Sequence, residues 1–170
     1  MRRTLIFSLL FVLFSCSFKT IPLKNKYQSE TFYQNTATPF DKVWDKLVDL
    51  FAKKGLSIKV IDHTSGLIIS DRYKLTFTNE DKNGKLENPD AYIVLPKVYL
   101  PGSTTNIIPT EVVGEWNVRI KDDGKGGTLI NVNLVNIKEI TYTFKVGNTE
   151  KNSSGVSTGV FEKFIFETIK

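Results

Sequence analysis

Cysteine and histidine are almost absent from this 170-residue chain, which has one of each. A lone cysteine forbids an intramolecular disulfide, and one cysteine plus one histidine makes neither a His-x-x-x-His pair nor a Cys/His zinc set. The folded part must therefore hold together by burying apolar surface. Charge of one sign is also scarce. The formal net charge is +5, falling to +3 if a segment carrying Arg2 and Arg3 is removed. That excess is too small to argue for nucleic acid and supports only a weak attraction to an acidic membrane surface. Long apolar runs are missing too. Leu5–Phe14, interrupted by Ser8, is only roughly 15 Å long as a helix, against ~30 Å of hydrocarbon. What the chain does have is core material: 41% hydrophobic residues, with 12 Phe, 6 Tyr and 2 Trp. Disorder is thereby disfavoured, and the length suits one domain.

The residue inventory excludes more chemistry than it offers. A Ser-His-Asp triad would have to use His63. That residue lies between Asp62 and Ser65 in a turn, where the neighbours make local bonds and the imidazole faces solvent. Asp122-Asp123-Gly124 resembles a fragment of a calcium loop but lacks the later acidic ligands. The GKGG at 124–127 lacks the spacing and the Lys-Ser/Thr ending of a phosphate loop. Paired carboxylates of the glycosidase kind are not excluded, but no pair stands out. No catalytic residue, metal or cofactor is expected.

Thr38 to Lys54 is the clearest helix. Phe40, Val43, Trp44, Leu47, Val48 and Phe51 recur at helical spacing, with charged residues on the other face. Thr38 suits the N-cap, Pro39 the first helical position, Asp41 a capping-box partner, and Gly55 the stop. Hairpins follow at 56–61/67–70 and 111–121/128–135. Further strands are read at 27–33, 73–78, 91–95 and 137–146, with loops at 79–90, 96–110 and 147–158. Val160, Phe161, Phe164, Ile165 and Ile169 mark a C-terminal helix, on which Phe166 is out of phase and becomes a candidate partner contact. Trp44 and Trp116 are in phase with apolar neighbours and read as core. The fold class expected is α+β. An antiparallel sheet of about five to seven strands would carry an N-terminal and a C-terminal helix on one face.

The N-terminus gives the sharpest signal. A basic start and a short apolar run end in Leu13-Phe14-Ser15-Cys16, which resembles the lipobox of bacterial lipoproteins. Leu at −3, a small residue at −1 and Cys at +1 match, while Phe14 departs from the small residue usual at −2. The resemblance implies removal of residues 1–15, lipid on the Cys16 thiol and palmitate-type acylation of its amino group. Membrane attachment would then be effectively permanent. Residues 16–26 read as a lipidated polar tether and 27–170 as one domain. Ser17 is not the inner-membrane Asp signal of enterobacteria, so the outer membrane facing the periplasm is favoured. In addition, Pro39–Ser70 resembles a recurring helix-then-hairpin module of small envelope lipoproteins, similar to the helix-grip domains of BamC. That resemblance implies a helix-on-sheet domain that binds other proteins. The leading expectation is a non-catalytic envelope accessory or assembly factor with envelope protein partners and no nucleic acid. A small-ligand or lipid binder comes next, and an envelope hydrolase last.

Overall fold

The computed structural model describes residues 17–27, 31–143 and 147–170. In chain order the elements are β1 (Lys19–Ile21), β2 (Phe32–Thr36), α1 (Phe40–Lys53), β3 (Ile58–Asp62), β4 (Leu67–Ser70), β5 (Tyr73–Leu75) and β6 (Phe77–Thr78). They continue with β7 (Ile93–Val94), β8 (Lys97–Tyr99), β9 (Glu111–Asp122), β10 (Thr128–Thr143), β11 (Gly147–Asn152), β12 (Val156–Ser157) and α2 (Val160–Ile169). The class is α+β, as the sequence predicts. A seven-stranded antiparallel sheet carries both helices on one face.

β9 and β10 form the spine of that sheet, an antiparallel pair running from Asp122↔Thr128 to Glu111↔Ile140. β10 pairs β2 with its first part and β11 with its last, while β9 pairs β4 and β5 in the same divided way. β3 completes the sheet beside β4. Ile120, Val118 and Trp116 of β9 lie opposite Ile130, Val132 and Leu134 of β10. Alternate residues share a face, so this set forms one apolar surface. Val43, Leu47 and Phe51 of α1 and Phe161, Ile165 and Ile169 of α2 pack in the same core.

The sequence predicts two strands where β10 is continuous. The inward set changes from even to odd numbers along it: Ile130 and Val132 are buried before Asn136, and Glu139 after it. A β-bulge between Val135 and Lys138 accounts for the change, with Asn136 at φ 54. One extra residue shifts the numerical phase yet keeps the same side of the strand against the core. Residues 147–158, expected as a loop, instead supply β11 and β12. The 79–110 region builds β7 and β8 and feeds two small sheets, β12-β7-β6 and β1-β8, the first containing a parallel β6–β7 pair.

The α1 cap also differs from expectation. Pro39 is the N-cap and no side chain caps the helix. Thr38 is engaged elsewhere: its carbonyl accepts the Thr128 hydroxyl at 2.8 Å and its N–H donates to Thr36 Oγ1 at 3.2 Å. The C-terminus closes as predicted on Gly55 (φ +65). Gly55 N–H donates to Ala52 O and Leu56 N–H to Phe51 O, a Schellman closure with Leu56 buried behind it.

Candidate functional site

The segment expected to be a free tether is part of the fold. Lys19, Thr20 and Ile21 pair with Tyr99, Val98 and Lys97. Beyond the strand, Glu80 clamps the chain. Its carboxylate accepts the Lys24 N–H at 2.6 Å, the Asn25 N–H at 3.1 Å and the Tyr27 hydroxyl at 2.8 Å. Asn25 also donates to Gly84 O at 2.6 Å, and Lys24 Nζ reaches Lys82 O. Glu80 is only 7% exposed. Burial works to raise its carboxyl, but the bonds from Lys24, Tyr27 and Asn25 outweigh it and hold the group below the usual carboxylate range. Tyr27 is pushed up, first by burial and then by its bond to that carboxylate.

This two-stranded ribbon has a cleft on each side. One, of about 310 Å³, is lined by Ile21, Leu23, Lys24, Glu80, Lys97 and Tyr99. The other, of about 380 Å³, has an apolar wall of Phe18, Leu95, Val98, Ile107 and Pro109 and a polar end of Glu139 and Lys151. Glu139 pairs with Lys151 at 2.9 Å and accepts the Ser153 hydroxyl at 2.8 Å. The ribbon and the turn after it also bare large apolar side chains: Phe18 is 61% exposed, Leu100 50% and Ile108 61%.

Between helices and sheet lies a cluster of buried apolar side chains. Trp116 is fully buried, stacked on Phe161 at 3.9 Å and met edge-on by Tyr92 at 6.2 Å. Its backbone N–H donates to the buried Ser70 hydroxyl at 2.8 Å. An ionisable side chain also enters this core. Glu162, in the first turn of α2, is fully buried. Its Oε1 accepts the Ser157 hydroxyl at 2.6 Å, whereas Oε2 has no partner. Burial raises its carboxyl, and the Ser157 bond does not cancel that effect.

The residues singled out by sequence are scattered. Cys16 lies outside the described residues. Phe166 is a correction: it is 8% exposed and belongs to the core, so it is no surface contact. The buried stripe of α2 runs through Phe161, Glu162, Ile165, Phe166 and Ile169, one position round from the apolar stripe read in sequence. Phe164 is left half-buried, with Lys54 Nζ 4.2 Å above its ring. Trp44 and Trp116 are core, as predicted. His63 Nε2 faces Asp41 at 3.3 Å, and its ring sits edge-on to Trp44 and Phe40 at 4.9 and 5.2 Å. Asp62 is used by the turn, accepting the Thr64 N–H at 3.0 Å. Asp123 accepts the Lys125 and Gly127 N–H groups, which lower its carboxyl, and Asp122 accepts that of Gly124. Among the described residues no group of three or more His, Cys, Asp or Glu gathers to hold a metal ion.

Sequence reasoning missed the Glu80 clamp and the buried Glu162. A carboxylate in a polar loop gives no signal of a partner more than fifty residues away. Glu162, by contrast, sits directly after Phe161 and three residues before Ile165, a placement that hints at burial.

No family model and no curated protein matches the chain. Among solved structures, the chain is similar to the Zhui aromatase/cyclase from Streptomyces sp. R1128 at 13% identity, with 70% of this chain and 68% of that chain covered and a TM-score of 0.22, a likeness too slight to carry an argument.

Proposed function

We propose that this chain is an exported lipoprotein of the bacterial cell envelope, anchored by lipid on Cys16 and facing the periplasm from the outer membrane, whose α+β domain acts by binding envelope proteins. The observation that carries the reading is the sequence at the N-terminus, where a basic start and a short apolar run end at the chain's one cysteine. The cluster of buried apolar side chains between helices and sheet supports binding by surface in preference to enclosure of a ligand there. The turn carboxylates Asp62, Asp122 and Asp123 are spent on backbone N–H groups, and Glu139 on Lys151, which leaves them as scaffold in this reading.

Radiolabelled palmitate and membrane fractionation test the anchor. The natural chain should incorporate label and sediment with membranes, and Cys16→Ser should lose the label and the mature-size band. A natural chain that takes up no label overturns the anchor. Chemical cross-linking in detergent-solubilised membranes tests the second half, since a chain that remains alone there counts against partner binding. One observation favours a second reading. The apolar cleft beside Phe18, closed at one end by the Glu139–Lys151 pair, has the form of a seat for a small amphiphile. Displacement of a fluorescent fatty acid would report it.

A further inference from the structure

We infer that the β1–β8 ribbon lies in the headgroup layer of the bilayer that holds the anchor, and that the Glu80 clamp fixes the orientation of the whole domain on that surface. The inference rests on lipidation of Cys16 and deepens that reading. Phe18 follows Cys16 by two residues, so its Cα lies within about 7 Å of the anchored residue even in a fully extended chain. The polar layer on each side of a bilayer is itself roughly 5–8 Å thick. Phe18 therefore stays at the interface wherever the rest of the domain goes.

Phe18 does not go there alone. The β1–β8 register, Lys19↔Tyr99, continued by one residue, sets Leu100 beside it. Both side chains are at least half exposed, and so is that of Ile108, which follows the groove residue Ile107. Three bare apolar side chains around an attachment point are costly in water and favoured in an interface. Lys19, also exposed, has a stem long enough to rest on that layer with its ammonium among phosphates.

Orientation follows from the clamp. A free tether of ten or so residues would let the domain turn in any direction. Here Lys24, Asn25 and Tyr27 are bonded to Glu80, so little free chain remains between lipid and fold. The lower end of the β9–β10 hairpin is tied to the same end of the molecule, since Thr110 N–H donates to Ile140 O and the segment 106–108 runs back along β8. The opposite end, the turn around Lys125, then stands off the surface by up to the length of β9. Its 12 residues span roughly 40 Å.

The test uses the full chain, matured and lipidated in cells and reconstituted into phosphatidylethanolamine/phosphatidylglycerol vesicles. With Cys16 alkylated, an introduced cysteine is the one reactive thiol. An environment-sensitive fluorophore is placed at Leu100→Cys, at Phe18→Cys as a second position, and at Lys125→Cys as the distal control. The expected result is a blue shift and quenching by headgroup-region spin-labelled lipid at positions 100 and 18, with neither at 125. Adding Glu80→Gln should bring the signal at 100 down towards the level at 125 while palmitate incorporation is unchanged. Quenching at 100 by aqueous iodide with no response to spin-labelled lipid overturns the inference and leaves the anchor standing. Shielding from both quenchers also overturns it, because a second protein copy then covers the ribbon. A second reactive thiol with no palmitate sinks the anchor itself.

Discussion

Glu162→Gln is the substitution on which the packing argument is most exposed. The carboxylate is fully buried, with Oε1 bonded to Ser157 and Oε2 unpartnered. Burial raises its pKa above the ordinary carboxylate value. A raised acid favours the folded state only while it stays protonated. Its contribution is present below the unfolded-state value and is lost as pH rises through the folded value. Gln keeps the shape and the Oε1 acceptor for Ser157 without a charge to desolvate. Leaving a buried acceptor unsatisfied costs about 1–3 kcal/mol, and more when it is charged. The variant should therefore be more stable than the natural protein by roughly that amount at pH 8, and near-equal to it at pH 4. Subtracting the two proteins cancels Glu80, Asp62, Asp81 and Asp123, whose lowered values push stability the other way with pH. Urea unfolding at several pH values, with equal m-values, is the assay. A difference that is flat across pH, or a less stable Gln variant at pH 8, would refute the reasoning, because the carboxylate would then be charged and well paired.

Other perturbations have defined outcomes. Gly66→Ala places a Cβ 2.1 Å from Ile120 O at φ +68 and threatens the 2.8 Å Ile120 N–H to Gly66 O bond. A loss of roughly 2–4 kcal/mol in urea unfolding is expected from the left-handed strain and the displaced bond. Trp116→Ala removes the fully buried ring stacked on Phe161 and should cost about 3–5 kcal/mol in the same assay, with loss of near-ultraviolet dichroism. The Glu80 carboxyl is lowered, so docking of 24–27 is present above the ordinary carboxylate value and lost as pH falls through the folded value. Amide exchange at Lys24 and Asn25 should accelerate there before the β9–β10 amides do, and Glu80→Gln should show that faster exchange at pH 7.

The parts of the fold legible in sequence are those whose partners are near in the chain. α1 reads cleanly because Val43, Trp44, Leu47 and Phe51 all face one core, and the β3–β4 turn because Asp62 and Gly66 build it locally. The N-terminal segment was unreadable because its strand partner and its clamp lie more than fifty residues away. Phe166 was misplaced because α2 touches both α1 and the sheet. Lys46 Nζ even binds the Ile169 carbonyl at 3.0 Å, so a wide arc of the helix is covered and a narrow stripe is the wrong template. Val156–Ser157 forms a strand only because Ile93 and Val94 receive it, and two residues carry no periodicity.

The bulge at Asn136 shifts the numbering of the long strand β10 by one residue without ending the strand. The stretch before it is committed to the helices and the stretch after it to β11 and the Glu139–Lys151 pair. Deleting one residue at that point would restore plain alternation, with Val135 still opposite Glu115, Lys138 still opposite Val113 and both stretches on their present faces. The strand thus tolerates the loss of a single codon at the bulge, where the same loss within either flanking stretch would turn part of the strand over.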